Sequence, residues 1–137
     1  MATIIYTNAF VSVNAVDLSD HVRQVTLTYE AELQDETAMG QGTRKNKPGL
    51  LNWSLEVEFF QDFAAGEVDA TLYPLVGAAA FTVAVRPVNA AISTTNPEYT
   101  GPAVLASYQP VSGSVGDMGM TPTSFQPAGT LVRDVTP

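Results

Sequence analysis

Two segments of this sequence alternate apolar and polar residues without a break, and they constrain the fold more than any other feature. Residues 25–33 read Val-Thr-Leu-Thr-Tyr-Glu-Ala-Glu-Leu, and residues 51–59 read Leu-Asn-Trp-Ser-Leu-Glu-Val-Glu-Phe. Successive side chains on a strand point to opposite faces, so a period of two places one face against a core and the other in water. Both segments are expected as strands, with Trp53 and Phe59 on the buried side. If they pair as a hairpin, Glu30, Glu32, Glu56 and Glu58 all lie on the face opposite the core.

Between them, residues 34–49 hold Gly40, Gly42, Pro48 and Gly49, the bases Arg44, Lys45 and Lys47, and few large apolar groups. This reads as a long loop. Structureless connections of that length are uncommon inside compact domains and tend to carry function. Half of the chain's 6 bases sit in it, which fits either a solvated loop or a loop that docks on an acidic neighbour.

Residues 62–76 change period. Val68, Leu72, Leu75 and Val76 fall at helical spacing, Asp69 suits a first helical turn, and Pro74 with Gly77 limits the length. Residues 81–86 alternate again and place Phe81 inward. Residues 87–101 are rich in Asn, Ser, Thr and Pro, as loops are, and further short strands are expected over 10–13, 103–108, 111–115, 121–125 and 131–135. The sum is a mainly β chain, a β-sandwich or partial barrel with one short flanking helix and a long loop between two early strands. At 137 residues it should form a single domain over 1–137.

Charge and composition narrow the function. With 14 acids against 6 bases the net charge is −8 and cysteine is absent. The chain should repel polyanions, and thiolate metal sites, disulfides and cysteine nucleophiles are excluded. The N-terminus lacks the basic-then-apolar pattern of a secretion signal. The apolar run of residues 72–85 is too short, and too broken by Pro74 and Gly77, to cross a bilayer, so no membrane association is expected.

Candidate chemistry is sparse. Asp17, Asp20 and the single histidine, His21, make a metal site conceivable, but the spacing matches no metal motif, and a turn or strand-start role fits better. Glu56 and Glu58 lie two residues apart on one face, which invites comparison with a glycosidase pair, yet alternating glutamates are also how a half-buried strand stays soluble. The glycine-rich residues 113–119 match no phosphate-binding fingerprint. No catalytic, metal-binding or cofactor-binding set emerges, and an enzyme is not expected.

A longer pattern runs through the chain. Asp17-Leu18-Ser19-Asp20-His21-Val22, the Trp53 strand running into Phe59-Phe60-Gln61-Asp62-Phe63, and Val68-Asp69-Ala70-Thr71-Leu72-Tyr73-Pro74-Leu75 resemble small virion proteins of long-tailed bacteriophages. Asn96-Pro97-Glu98-Tyr99-Thr100-Gly101 and Gly113-Ser114-Val115-Gly116-Asp117 extend the likeness from Asp17 to Arg133. The closest role is the tail tube, or major tail, protein. That resemblance implies a self-assembling subunit that forms hexameric rings, stacks them into a hollow tube, and works beside tape measure, terminator and distal tail proteins. It implies a virion location, with assembly in the host cytoplasm, and DNA that passes through without specific binding. Glu30, Glu32, Glu56 and Glu58 would then line the channel, and Arg44, Lys45 and Lys47 would contact the adjacent ring. Capsid decoration or head-to-tail joining is the alternative viral role. A carbohydrate-binding or adhesive module would need exposed aromatic side chains where this chain buries them.

Overall fold

The computed structural model describes residues 3–136. Its strands are β1 (Phe10–Val13), β2 (Val16–Asp17), β3 (Val22–Asp35), β4 (Asn46–Phe60), β5 (Phe81–Arg86), β6 (Glu98–Leu105), β7 (Met120–Pro127) and β8 (Val132–Asp134), with one short helix, α1 (Val68–Leu72). All pair antiparallel in one sheet of order β2-β1-β5-β6-β7-β4-β3, with β8 on β6. The sheet curls. Val25, Leu27 and Tyr29 on β3 face Val85 on β5 and Tyr99 on β6 across a cleft of about 430 Å³, so the two ends approach as in a partial barrel.

Period-two alternation puts Trp53, Leu55, Val57 and Phe59 of β4 into the core with Phe125 of β7, Leu105 of β6, and Phe81, Val83 and Val85 of β5. Phe81 and Phe125 meet edge to face with centroids 5.9 Å apart. The helix covers one mouth. Val68, Leu72 and Leu75 are buried, and a 3-10 turn over Tyr73–Leu75 ends the helix at Pro74. Val76, expected on the same face, is instead exposed and bridges Leu105.

The largest departure from expectation is the connection between β3 and β4. Residues 34–35 and 46–49 belong to the strands, so the loop is shorter than expected. Pairing continues through Leu33↔Pro48, Gln34↔Lys47 and Asp35↔Asn46, so only residues 36–45 turn the chain. The tip is itself ordered. Asp35 accepts from the Thr37 amide at 2.9 Å and from Arg44 at 2.8 Å, and the Thr37 hydroxyl accepts from the Lys45 amide at 2.7 Å. Gly40 takes φ +90, a left-handed conformation that glycine adopts without steric cost.

Smaller corrections follow the same logic. Residues 111–115 alternate Val, Ser, Gly, Ser, Val yet form no strand, and β6 begins at Glu98, inside the segment expected as a loop. Gly101 explains that shift. A Cβ there would lie 2.7 Å from Trp53 Cζ2, so the glycine that reads as a turn signal is a strand residue over which the indole packs. The Trp53 indole N–H donates to the Gly129 carbonyl at 2.9 Å, which holds the ring in place.

Gly101→Ala is expected to destabilise the protein by about 1–3 kcal/mol through overpacking. In a Trp53→Phe background the same change should cost measurably less. Chemical denaturation of the four proteins gives the coupling, and equal costs in both backgrounds would refute the contact.

Candidate assembly surfaces

The register of the hairpin decides what each face presents. Thr26 lies opposite Glu56, Gln24 opposite Glu58 and Glu30 opposite Asn52, and on the far side of β4 Glu56 meets Ser124 and Glu58 meets Pro122. No glutamate stands directly across from another, which avoids the close like-charge pairs that destabilise sheets. Glu32 shares the β3 face of Glu30 and sits opposite a bulge where β4 uses both Gly49 and Leu50. That bulge turns Lys47 onto the acidic side, across from Gln34. Glu30, Glu32 and Glu56 are exposed, whereas Glu58 is half-buried and holds Arg23 Nη1 at 3.0 Å. Gln24, Thr26, Thr28, Asn52, Ser54 and Ser124 fill the rest of this face.

The opposite face of the same hairpin is apolar and outruns the body it covers. On β4, burial begins only at Trp53, and Asn46–Asn52 are exposed throughout. At roughly 3.3 Å per residue this leaves an arm of about 20–25 Å beyond the core. Tyr29, Leu33 and Leu51 continue the core-facing stripe along the arm and stay 55%, 62% and 63% exposed. Beside it, the outer edge of β3 pairs with nothing among the described residues, leaving an open row of backbone donors and acceptors.

The bases are mostly committed within the chain. Arg44 bonds Asp35, Lys45 lies 3.3 Å from Glu36, and Arg86 bonds Glu98 at 2.6 Å while stacking over Phe10. Lys47 and Arg133 have no carboxylate partner among the described residues. Of the three loop bases, Lys47 alone is free for an outside partner.

At the other end of β4, His21 anchors a cluster that the sequence placed differently. Asp17 is not part of it; its carboxylate receives the Ser19 amide at 2.9 Å. Instead His21 Nδ1 is 2.8 Å from Asp20, and Nε2 is 2.9 Å from Asp62 and 3.4 Å from Glu67. Asp20, His21 and Glu67 could in principle hold a cation. Both ring nitrogens already face carboxylates at hydrogen-bond distance, however, which is the geometry of an imidazolium occupying that position. Burial opposes the charge, but the bonds to Asp62 and Asp20 and the nearby carboxylates outweigh it and raise the His21 pKa above its ordinary 6.5. Asp62 moves the other way, held below its usual range by the Ala64 amide and by His21. With both nitrogens engaged, His21 is not placed as a general base.

Around this cluster, Gln61 donates to the Tyr108 hydroxyl and the Pro110 carbonyl, and Tyr108 donates to Asp69. These bonds lay residues 106–119 against the end of β4. Phe63, Val111, Val115 and Met118 are exposed there. No helix among the described residues is long and apolar enough to cross a membrane.

No protein-family model matches the chain, and no curated protein matches it. Solved structures do. A chain from the virion of a native gene transfer agent particle superposes with TM-score 0.73 at 14% identity, covering 92% of this chain and 95% of that one. One from the tail of an empty gene transfer agent particle, refined with C6 symmetry, gives 0.68 at 16% identity over 91% and 92%. One from the sheath/tube terminator of an extracellular contractile injection system gives 0.71 at 13% identity over 98% of both chains. The fold is thus shared end to end with components of phage-like tails.

A raised histidine pKa contributes stability that is fully present below about 6.5 and is lost as pH rises through the folded value. Thermal unfolding of the wild type should therefore show a decline as pH rises above about 6.5 that His21→Gln lacks. Parallel profiles for the two proteins between pH 6 and 9 would show that the cluster does not act as an ion pair.

Proposed function

We propose that this chain is a structural virion protein, the repeating subunit of a phage-like tail tube. Copies close into hexameric rings, the rings stack, and the hollow product conducts DNA passively, with no bond made or broken by the protein. The observation that carries this reading is the arm of β3 and β4, whose apolar face and open edge find no cover among the described residues, on a fold shared with tail components. Covering the exposed parts of Tyr29, Leu33 and Leu51 would return roughly 3–5 kcal/mol per contact. Association itself costs at least about that much. An isolated pair is thus marginal, and a ring in which every subunit makes several contacts is not.

Ring closure along the β3 edge also removes the hazard of an unpaired strand. The face bearing Glu30, Glu32, Glu56 and Glu58 is our candidate for the lumen. Phosphates gain affinity from Lys and Arg, and affinity inside a channel is friction. From Glu32 to Glu58 the face offers carboxylates and neutral polar groups with Arg23 held by Glu58, and its one uncommitted base, Lys47, sits beyond them towards the tip. Tape measure, terminator and distal tail proteins would be its partners in a virion tail. A single ring that joins or terminates the tube is the second reading, favoured by the full-length likeness to a terminator subunit.

Negative-stain electron microscopy over a concentration and salt series should reveal hollow six-fold tubes. Discrete rings that never stack would favour the terminator role, and a monomer at every concentration would overturn both. Tubes of the Glu30→Lys/Glu56→Lys variant should retain DNA at low salt where wild-type tubes do not. Equal retention would remove these residues from the lumen.

A further inference from the structure

The two ends of β4 are chemically complementary. At the tip, Met39 is fully exposed, Leu50 is 79% exposed, and Lys47 carries an uncommitted positive charge. Among the described charges at 35–47, Arg44, Lys45 and Lys47 outnumber Asp35 and Glu36. At the far end the balance reverses. Asp20, Asp62, Glu67, Asp69 and Asp117 gather there, against His21 inside its carboxylate cluster and Arg23 on Glu58. Asp117 has no ion-pair partner among the described residues, and it lies between Val115 and Met118 in the exposed loop. Each end therefore offers apolar side chains around an exposed charge without an ion-pair partner, Lys47 at one and Asp117 at the other, and the two charges have opposite sign.

The loop of residues 106–119 is long for a β connection and buries little. Val111 and Val115 are almost wholly exposed, and Gly113 and Gly116 take φ +155 and +89. It is nonetheless fastened to the body through Gln61, Tyr108 and Asp69. Three exposed apolar side chains on a fastened loop, Val111, Val115 and Met118, together with Phe63 beside them, form a surface awaiting a partner rather than a disordered tail.

We infer that this loop, with Phe63, is the surface that receives the hairpin tip of a second copy, so that Lys47 of one molecule meets Asp117 of the next. The inference rests on the assembly reading above and adds the landing site. The two surfaces lie at opposite ends of a strand roughly 45–50 Å long, so a molecule cannot satisfy itself. The contact is heterologous and does not return on itself; it propagates along one direction as stacked rings do. Salt should weaken it, because both charges are exposed.

The absence of cysteine from the chain makes a direct test possible. Met39→Cys and Val115→Cys proteins, both changed at exposed positions, are assembled separately and as a mixture, oxidised, and digested for mass spectrometry. A 39–115 disulfide confined to the mixture is expected, and tubes without that link would overturn the inference while leaving the tube reading intact. Failure of every preparation to assemble would overturn both. In the full chain, Lys47→Glu and Asp117→Lys should each raise the concentration needed for tubes about twofold to fivefold, and the combined variant should recover most of that loss. A combined variant no better than either single change would refute the pairing.

Discussion

Everything distinctive about this molecule depends on one antiparallel register, that of β3 on β4. Twelve residue pairs run from Val22↔Phe59 to Asp35↔Asn46, interrupted by two bulges. The inner part of this ladder builds a core wall with Trp53, Leu55, Val57 and Phe59, and the outer part carries the same alternation past the point where there is core to cover. The arm is therefore stabilised by its own hydrogen bonds, by the ordered tip and by the rigidity of the strands continuing from the body. A ribbon of two strands is marginal in isolation, so the inner half holds the outer half in place.

Charge is distributed to serve that geometry. Four of the six bases are tied to carboxylates within the chain, which leaves Lys47 and Arg133 without such a partner among the described residues. The acidic hairpin face spaces its glutamates with uncharged polar residues, so the face keeps its sign without placing carboxylates directly opposite one another. At the far end of β4, three carboxylates converge on one imidazole and join the turn before β3 to the segment before α1. That cluster fixes the start of the edge strand on which the proposed ring contacts depend.

Strands that bury one face were legible from alternation alone, since the signal is a product of burial. Residues 25–33, 51–59 and 81–86 were found this way, and the acids on the opposite face followed from the same parity. The arm was invisible for the same reason. Asn46, Lys47, Pro48 and Gly49 are strand without being buried, and nothing in their types records a pairing set by the register upstream. Residues 111–115 erred in the other direction, because alternation without a partner strand does not make a ladder. Neither the His21 contacts with Asp62 and Glu67 nor the position of Gly101 beside Trp53 could be read locally. Each joins residues about 40 or more positions apart, and only the folded sheet brings them together.

Hydrogen–deuterium exchange compared between dilute monomer and concentrated protein addresses the central claim, that the β3 edge and the arm are surfaces completed by other copies. Amides of β3 that point away from β4, and those of Asn46–Asn52, are predicted to exchange quickly in the monomer and to become strongly protected on assembly, while the core amides of β5 and β7 change little. Unchanged exchange along β3 and the arm in an assembled sample would contradict the account, because copies would then be meeting through some other part of the molecule.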